Sequence, residues 1–222
     1  MRLALEEAGT EYVDVARRRG GVAAMRRLMD GAAVAHPPFA PPFLKDGDVL
    51  IAQAANILLY LGRRHGLVPR DEVKRLWAHQ LQLTIADIVD EAHDTHHPIA
   101  SSLYYEDQQG EARRRAADFI VNRVPKYLGY FERVLERNPQ GDCLVGRRVS
   151  YCDLSLFQLV AGLRYAFPRA MAQLEPRFRR VTVLHERITE RPRLEAYLKS
   201  ARRIPFNEYG IFRHYPELDV AS

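Results

Sequence analysis

Cysteine is nearly missing from this 222-residue chain, which has only Cys143 and Cys152. Two cysteines so placed form neither a disulfide framework nor a CxxC motif, and such usage implies a reducing cytoplasm. No apolar run approaches the roughly 20 residues that a membrane span needs, and the start has no signal-peptide pattern. Lysine is scarce as well, with 4 residues beside 29 Arg, so the net charge of +5 rests on arginine. Such a skew reflects base composition more than function. The runs Arg17-Arg18-Arg19 and Arg113-Arg114-Arg115 could meet phosphates. No aromatic residues interleave with them, so they read as solvated loop and helix faces, and nucleic acid is not an expected partner.

The chain does contain an ordinary 47 % of hydrophobic residues and one dense stretch of structural signals. Pro41-Pro42 fixes φ and removes two backbone donors, which bars a helix there; an X-Pro bond is also where a cis peptide is cheap. Phe43-Leu44 and Val49-Leu50-Ile51 flank Asp46-Gly47, a dipeptide that predicts a type I′ hairpin turn. Gln53 to Leu61 then has helical spacing, with Ile57, Leu58 and Leu61 on one face.

At these residues the chain resembles the soluble glutathione transferases, closest to the pi, mu and sigma group and its bacterial relatives. That family has a cis-proline in a Pro-x-Leu element before a β-hairpin, and a Gln-Ser-x-x-Ile-x-x-Tyr-Leu element opening the next helix. Pro42-Phe43-Leu44 and Gln53 to Leu61 match both, except that Ala54 stands where the family has Ser or Thr. The resemblance implies an α+β chain of two domains: residues 1–67 thioredoxin-like but lacking a first strand, and residues 71–222 all-helical.

The start of the chain departs from that pattern. Arg2 to Ala8 is helix sequence and Gly9 a natural C-terminal cap, while Tyr12-Val13-Asp14-Val15 alternates like a strand. The family's first strand and the loop with its thiol-activating Tyr, Ser or Cys have no counterpart. No catalytic residue is therefore assigned; one is expected in a segment upstream of Met1, which reads as a misassigned start, the alternative being a decayed member of the family. Gly20-Gly21 breaks the chain before a short helix over Val22–Met29, with Val22, Met25, Leu28 and Met29 as its apolar residues. Phe39 is a candidate for the aromatic key that enters the partner subunit in several transferase classes.

The second half is periodic. One long helix is predicted from Asp71 to Thr95, with Val73, Leu76, Trp77, Leu81, Leu83, Thr84, Ile88 and Ala92 apolar or core-facing, and Pro98 ending it. A second runs from Glu111 to Asn138, kinked at Pro125. Ser150-Tyr151-Cys152-Asp153 is a capping box opening an apolar helix from Leu154 to Phe167. The tail, Ile204 to Leu218, is expected to pack over the second domain.

The resemblance implies glutathione as co-substrate and no other cofactor. The glutathione-binding candidates are Pro41 and Pro42, at the exposed edge before the cis bond, and Gln53 and Ala54, at a helix N-terminus that favours a carboxylate. Pro41 lacks an N–H and Ala54 a hydroxyl, so both contacts are weakened. Glu91, Asp94 and Tyr104 are candidates for the electrophile pocket or a partner-subunit contact in a homodimer. Asp90, His93, Asp94 and His97 share a helix face, at i, i+3, i+4 and i+7; with no ligand from a second element to complete a set, no metal is assigned. The expected activity is conjugation of the glutathione thiol to soft electrophiles, as in detoxification, and the alternative is a non-catalytic ligand-binding or interaction protein with a transferase fold.

Overall fold

The computed structural model describes residues 1–32 and 34–219. The chain divides into two compact units, with the boundary after Leu67.

The first unit opens with helix α1 (Arg2–Ala8), which buries Leu3, Ala4 and Leu5. Gly9, at φ 66°, ends it in the left-handed region, and its N–H bonds back to the Glu6 carbonyl. A residue with a Cβ would be strained there. The expected strand at Tyr12–Val15 does not form. Val15–Arg17 is a 3-10 turn instead. The segment is tied by side chains to α1: the Tyr12 phenol donates to Glu6 at 2.7 Å, and Arg2 pairs with Asp14 at 2.7 Å. Among the described residues no strand lies beside it, so its backbone has no ladder to join. Helix α2 (Gly21–Asp30) starts against that turn, where a Cβ on Gly21 would meet the Val15 carbonyl oxygen at 1.8 Å. Of its expected apolar stripe, Met25, Leu28 and Met29 are half-buried and Val22 is exposed.

The Pro41–Pro42 peptide is cis. Strands β1 (Phe43–Asp46) and β2 (Val49–Ala52) follow as an antiparallel hairpin, with Phe43 opposite Ala52 and Asp46 opposite Val49. That register makes Gly47-Asp48 the two-residue loop, one position later than the sequence suggests. Of the two, only Gly47 has positive φ, which fits a type II′ turn rather than type I′. Helix α3 (Ala54–Arg64) buries Ile57, Leu58 and Leu61 and packs against α1 and the hairpin.

The second unit is all-helical. Asp71 caps α4 (Glu72–Asp94) by accepting from the Lys74 N–H at 2.9 Å. Its buried face is Ala78, Leu81, Gln82, Ile85, Ile88 and Ala92. Val73, Leu76 and Leu83, expected in the core, are instead exposed at 73, 63 and 47 %. They lie within one arc of the helix, opposite the face that packs. Helix α4 stops at Asp94, four residues before Pro98.

The second long helix is continuous but changes winding. It runs as α5 (Gln109–Asp118), a π-helical segment (Phe119–Arg123) and α6 (Val124–Glu136). Pro125 has no N–H for the Val121 carbonyl, and its ring crowds that carbonyl. Widening the preceding turn to π geometry accommodates both. Helix α7 (Tyr151–Ala166) is the centre of this unit and packs on α4, α8 (Pro168–Leu174) and α9 (Arg179–Thr189). Its capping box is present: Asp153, fully buried, accepts from the Ser150 and Leu144 N–H groups at 2.7 Å each and from the Ser150 hydroxyl. Helix α10 (Pro192–Leu198) buries Leu194 and Tyr197.

The tail closes over this unit. Phe212 is buried against Gly162 of α7, where a Cβ would approach the ring at 2.5 Å. Tyr215 stacks on Tyr105 at 3.8 Å between ring centroids. Asp219 accepts from the Arg169 and Ala170 N–H groups at the start of α8.

Candidate functional site

The residues expected to bind glutathione converge at one end of the hairpin. Phe43 pairs with Ala52, so the next position outward on each strand sets Pro42 opposite Gln53. Pro41 and Ala54 follow directly. All four are exposed. Gln53 is the N-cap of α3 and, with φ 67° and ψ 120°, the one non-glycine of positive φ among the described residues. Such a conformation costs on the order of 1–3 kcal/mol and persists where the surroundings impose it. No side chain caps α3, which leaves its first N–H groups and the positive end of its dipole turned outward. Beside this end lies a hollow of about 500 Å³, lined by Ala35 to Ala40 and by Leu50 to Gln53 with Asn56. Phe39, on its rim, is 92 % exposed.

The two phenols of the first unit, Tyr12 and Tyr60, are both engaged, and neither cysteine is accessible. The Tyr12 phenol is held by Glu6. The Tyr60 phenol donates to Asp46 at 2.9 Å, a bond that raises its pKa. Both cysteines are buried; burial pushes the Cys143 thiol up to about 11 and Cys152 well above its ordinary value. Such thiols stay protonated and inert.

The second unit carries the other candidates, in three different environments. Glu91 on α4 is held by Arg123 through two bonds of 2.8 and 2.7 Å, by the Tyr127 phenol at 3.0 Å, and by Arg115 at 3.6 Å. The Arg123 bonds, helped by Tyr127 and Arg115, keep its carboxyl below the ordinary range. Its charge is thus spent within the chain. Nothing in the local sequence signals this pairing, since the partners are 32 and 36 residues away. Asp94 is exposed and lies 3.7 Å from the His93 ring. Tyr104 is 78 % exposed and opens a short 3-10 turn, its N–H donating to Asp107.

The histidines regroup relative to the expected face. Because α4 ends at Asp94, the turn through Thr95 brings His96 in with His93 and His97, and Asp90 is left out of the group. The three rings lie 4.9 to 5.0 Å apart, centroid to centroid.

A sheet-and-helix unit with a cis-proline before its hairpin, followed by an all-helical unit, defines an α+β protein of the thioredoxin-like, helical-domain class. Residues 93–201 match the family model for the glutathione S-transferase C-terminal domain. Glutathione S-transferase P of Bos taurus is 26 % identical over 95 % of this chain and 91 % of its own. The glutathione S-transferase of Plasmodium falciparum is 23 % identical over 91 % of this chain and 90 % of its own. Among solved structures, the pi-class glutathione S-transferase of Onchocerca volvulus superposes with a TM-score of 0.68 at 22 % identity, covering 89 % of this chain and 85 % of that one. The chain is thus similar to the soluble glutathione S-transferases over most of its length.

Proposed function

We propose that this protein binds glutathione at the hairpin end of its first unit and conjugates its thiol to electrophilic substrates. The observation that carries the reading is the juxtaposition of the cis Pro41–Pro42 bond with Gln53 and the uncapped N-terminus of α3. The strand edge at Pro41 offers its carbonyl to the cysteinyl N–H of the tripeptide. The α3 N–H groups offer charge-assisted bonds to the γ-glutamyl carboxylate. Two of the usual bonds are missing, one at Pro41 and one at Ala54. At ~0.5–1.5 kcal/mol each, glutathione binds about one to two orders of magnitude more weakly than in a relative with both.

Titration calorimetry with glutathione tests this. A millimolar-range affinity tightened about three- to tenfold by Ala54→Ser is the expected result; no heat of binding in either protein would sink it. Turnover is read with a generic aryl halide. A second reading, a non-catalytic ligand-binding protein of transferase fold, is favoured by the engaged phenols of Tyr12 and Tyr60 and the buried thiols. Glutathione binding without aryl-halide turnover would select it.

The reading also includes a cytoplasmic homodimer. Val73, Leu76 and Leu83 form an exposed apolar stripe of the kind a two-fold partner covers. No described helix is long and apolar enough to cross a membrane.

A further inference from the structure

We propose that His93, His96 and His97 form a binding site for a borderline-soft divalent cation, of which Zn²⁺ is the representative. One ring nitrogen from each lies within 4.8 Å of the others. A tetrahedral zinc with Zn–N bonds of about 2.0–2.1 Å holds its nitrogens about 3.4 Å apart. The trio therefore needs to close by up to about 1.4 Å, which rotations of the half-buried His93 and His97 rings provide.

The second observation is at His96, 1 % exposed. Its Nε2 lies 2.8 Å from the Ile211 carbonyl, an acceptor, so Nε2 carries the proton. Nδ1 is left as a bare lone pair, buried and with no hydrogen-bond partner. A buried polar atom without a partner is costly; a metal ion relieves it. The arrangement is also how metal-binding histidines are oriented, one nitrogen on the ion and the other N–H on a carbonyl.

Gln108, itself buried, lies 3.2 Å from His97 Nδ1 and binds the Ala100 and Leu103 carbonyls at 3.1 and 3.2 Å. It locks the 99–104 loop around the trio. Arg213 is the opposing charge nearby, and its guanidinium is turned to the Gly210 carbonyl at 2.9 Å. Asp94, beside His93, is the available anion. Three histidines leave a fourth position open to water or a ligand.

The test uses the full chain, untagged and stripped with a chelator. Zn²⁺ is titrated by calorimetry, and Co²⁺ is added to read coordination from its visible absorption. One equivalent of Zn²⁺ and the intense band of tetrahedral Co²⁺ are expected. His93→Ala and His97→Ala should each weaken Zn²⁺ binding by at least the ~10–100-fold that loss of an outer-shell partner costs. His96→Gln places an amide N–H where Nε2 was, so it keeps the bond to Ile211 while removing Nδ1, and should abolish the cobalt band with the fold intact by circular dichroism. Absence of uptake, or uptake that His93→Ala, His97→Ala and His96→Gln leave unchanged, would overturn the site.

Discussion

At the scale of single residues, three positions hold more of the second unit than their size suggests. Asp153 satisfies two buried N–H groups and one hydroxyl at once. Asp153→Ala strands both N–H groups, at ~1–3 kcal/mol each, so urea unfolding should show a loss of roughly 3–5 kcal/mol. Gly162 is needed for its emptiness: Gly162→Ala drives a methyl into the Phe212 ring. Overpacking of this kind costs about 1–3 kcal/mol, and the near-ultraviolet dichroism of the aromatic tail should change with it. His185 is a third case. It stacks on Phe157, accepts from Arg164 at Nδ1 and leaves its buried Nε2 without a partner. Burial, then the Arg164 charge, depress its pKa from 6.5 to about 4. The unfolded chain therefore binds the proton first, and stability falls as pH drops from about 6.5 towards 4. His185→Gln keeps an acceptor for Arg164 and does not titrate, so it should make that limb of a stability–pH curve shallower, leaving the share that buried His96 contributes over the same range.

At the scale of elements, sequence and structure agree where the signal is local. The Gly9 cap, the Ser150–Asp153 box and the cis-proline hairpin all depend on residues within a few positions of one another. They were legible for that reason. Agreement fails where a distant partner decides the outcome. Tyr12–Val15 alternates like a strand, but a strand needs a neighbour. Val73, Leu76 and Leu83 are apolar at helical spacing, yet spacing does not say which arc of α4 meets α7. The regrouping of His96 depends on where α4 stops, one of the least predictable features of a helix. Glu91 shows the same limit, because its role is set by Arg123 on the π segment of the other long helix. That pair ties the two helices together: Glu91→Gln should destabilise the protein by about 1–2 kcal/mol. With its pKa lowered in the folded state, the stability Glu91 adds is full above the ordinary carboxylate pKa. It disappears as pH falls through the lowered value, so acid titrations of the wild-type and Glu91→Gln proteins should converge.

At the scale of the whole molecule, the exposed stripe on α4 bears on assembly. Light scattering at micromolar concentration should give twice the 25.5 kDa chain mass, and Leu76→Arg with Leu83→Arg should shift it to the monomer without loss of helicity. The tail bears on the order in which the second unit forms. Its contacts reach across 112 residues from Tyr105 to Glu217 and 115 from His96 to Ile211. Contacts of such separation carry a large loop-closure cost and form late. In a pulse-labelling refolding experiment, amides of α7 away from its end should gain protection early, whereas Arg169 and Ala170, capped only by Asp219, should gain it last. Until then the groove at Gly162 stands open and apolar. The species most prone to aggregate during refolding is thus one whose core is already built and whose final strap has yet to dock.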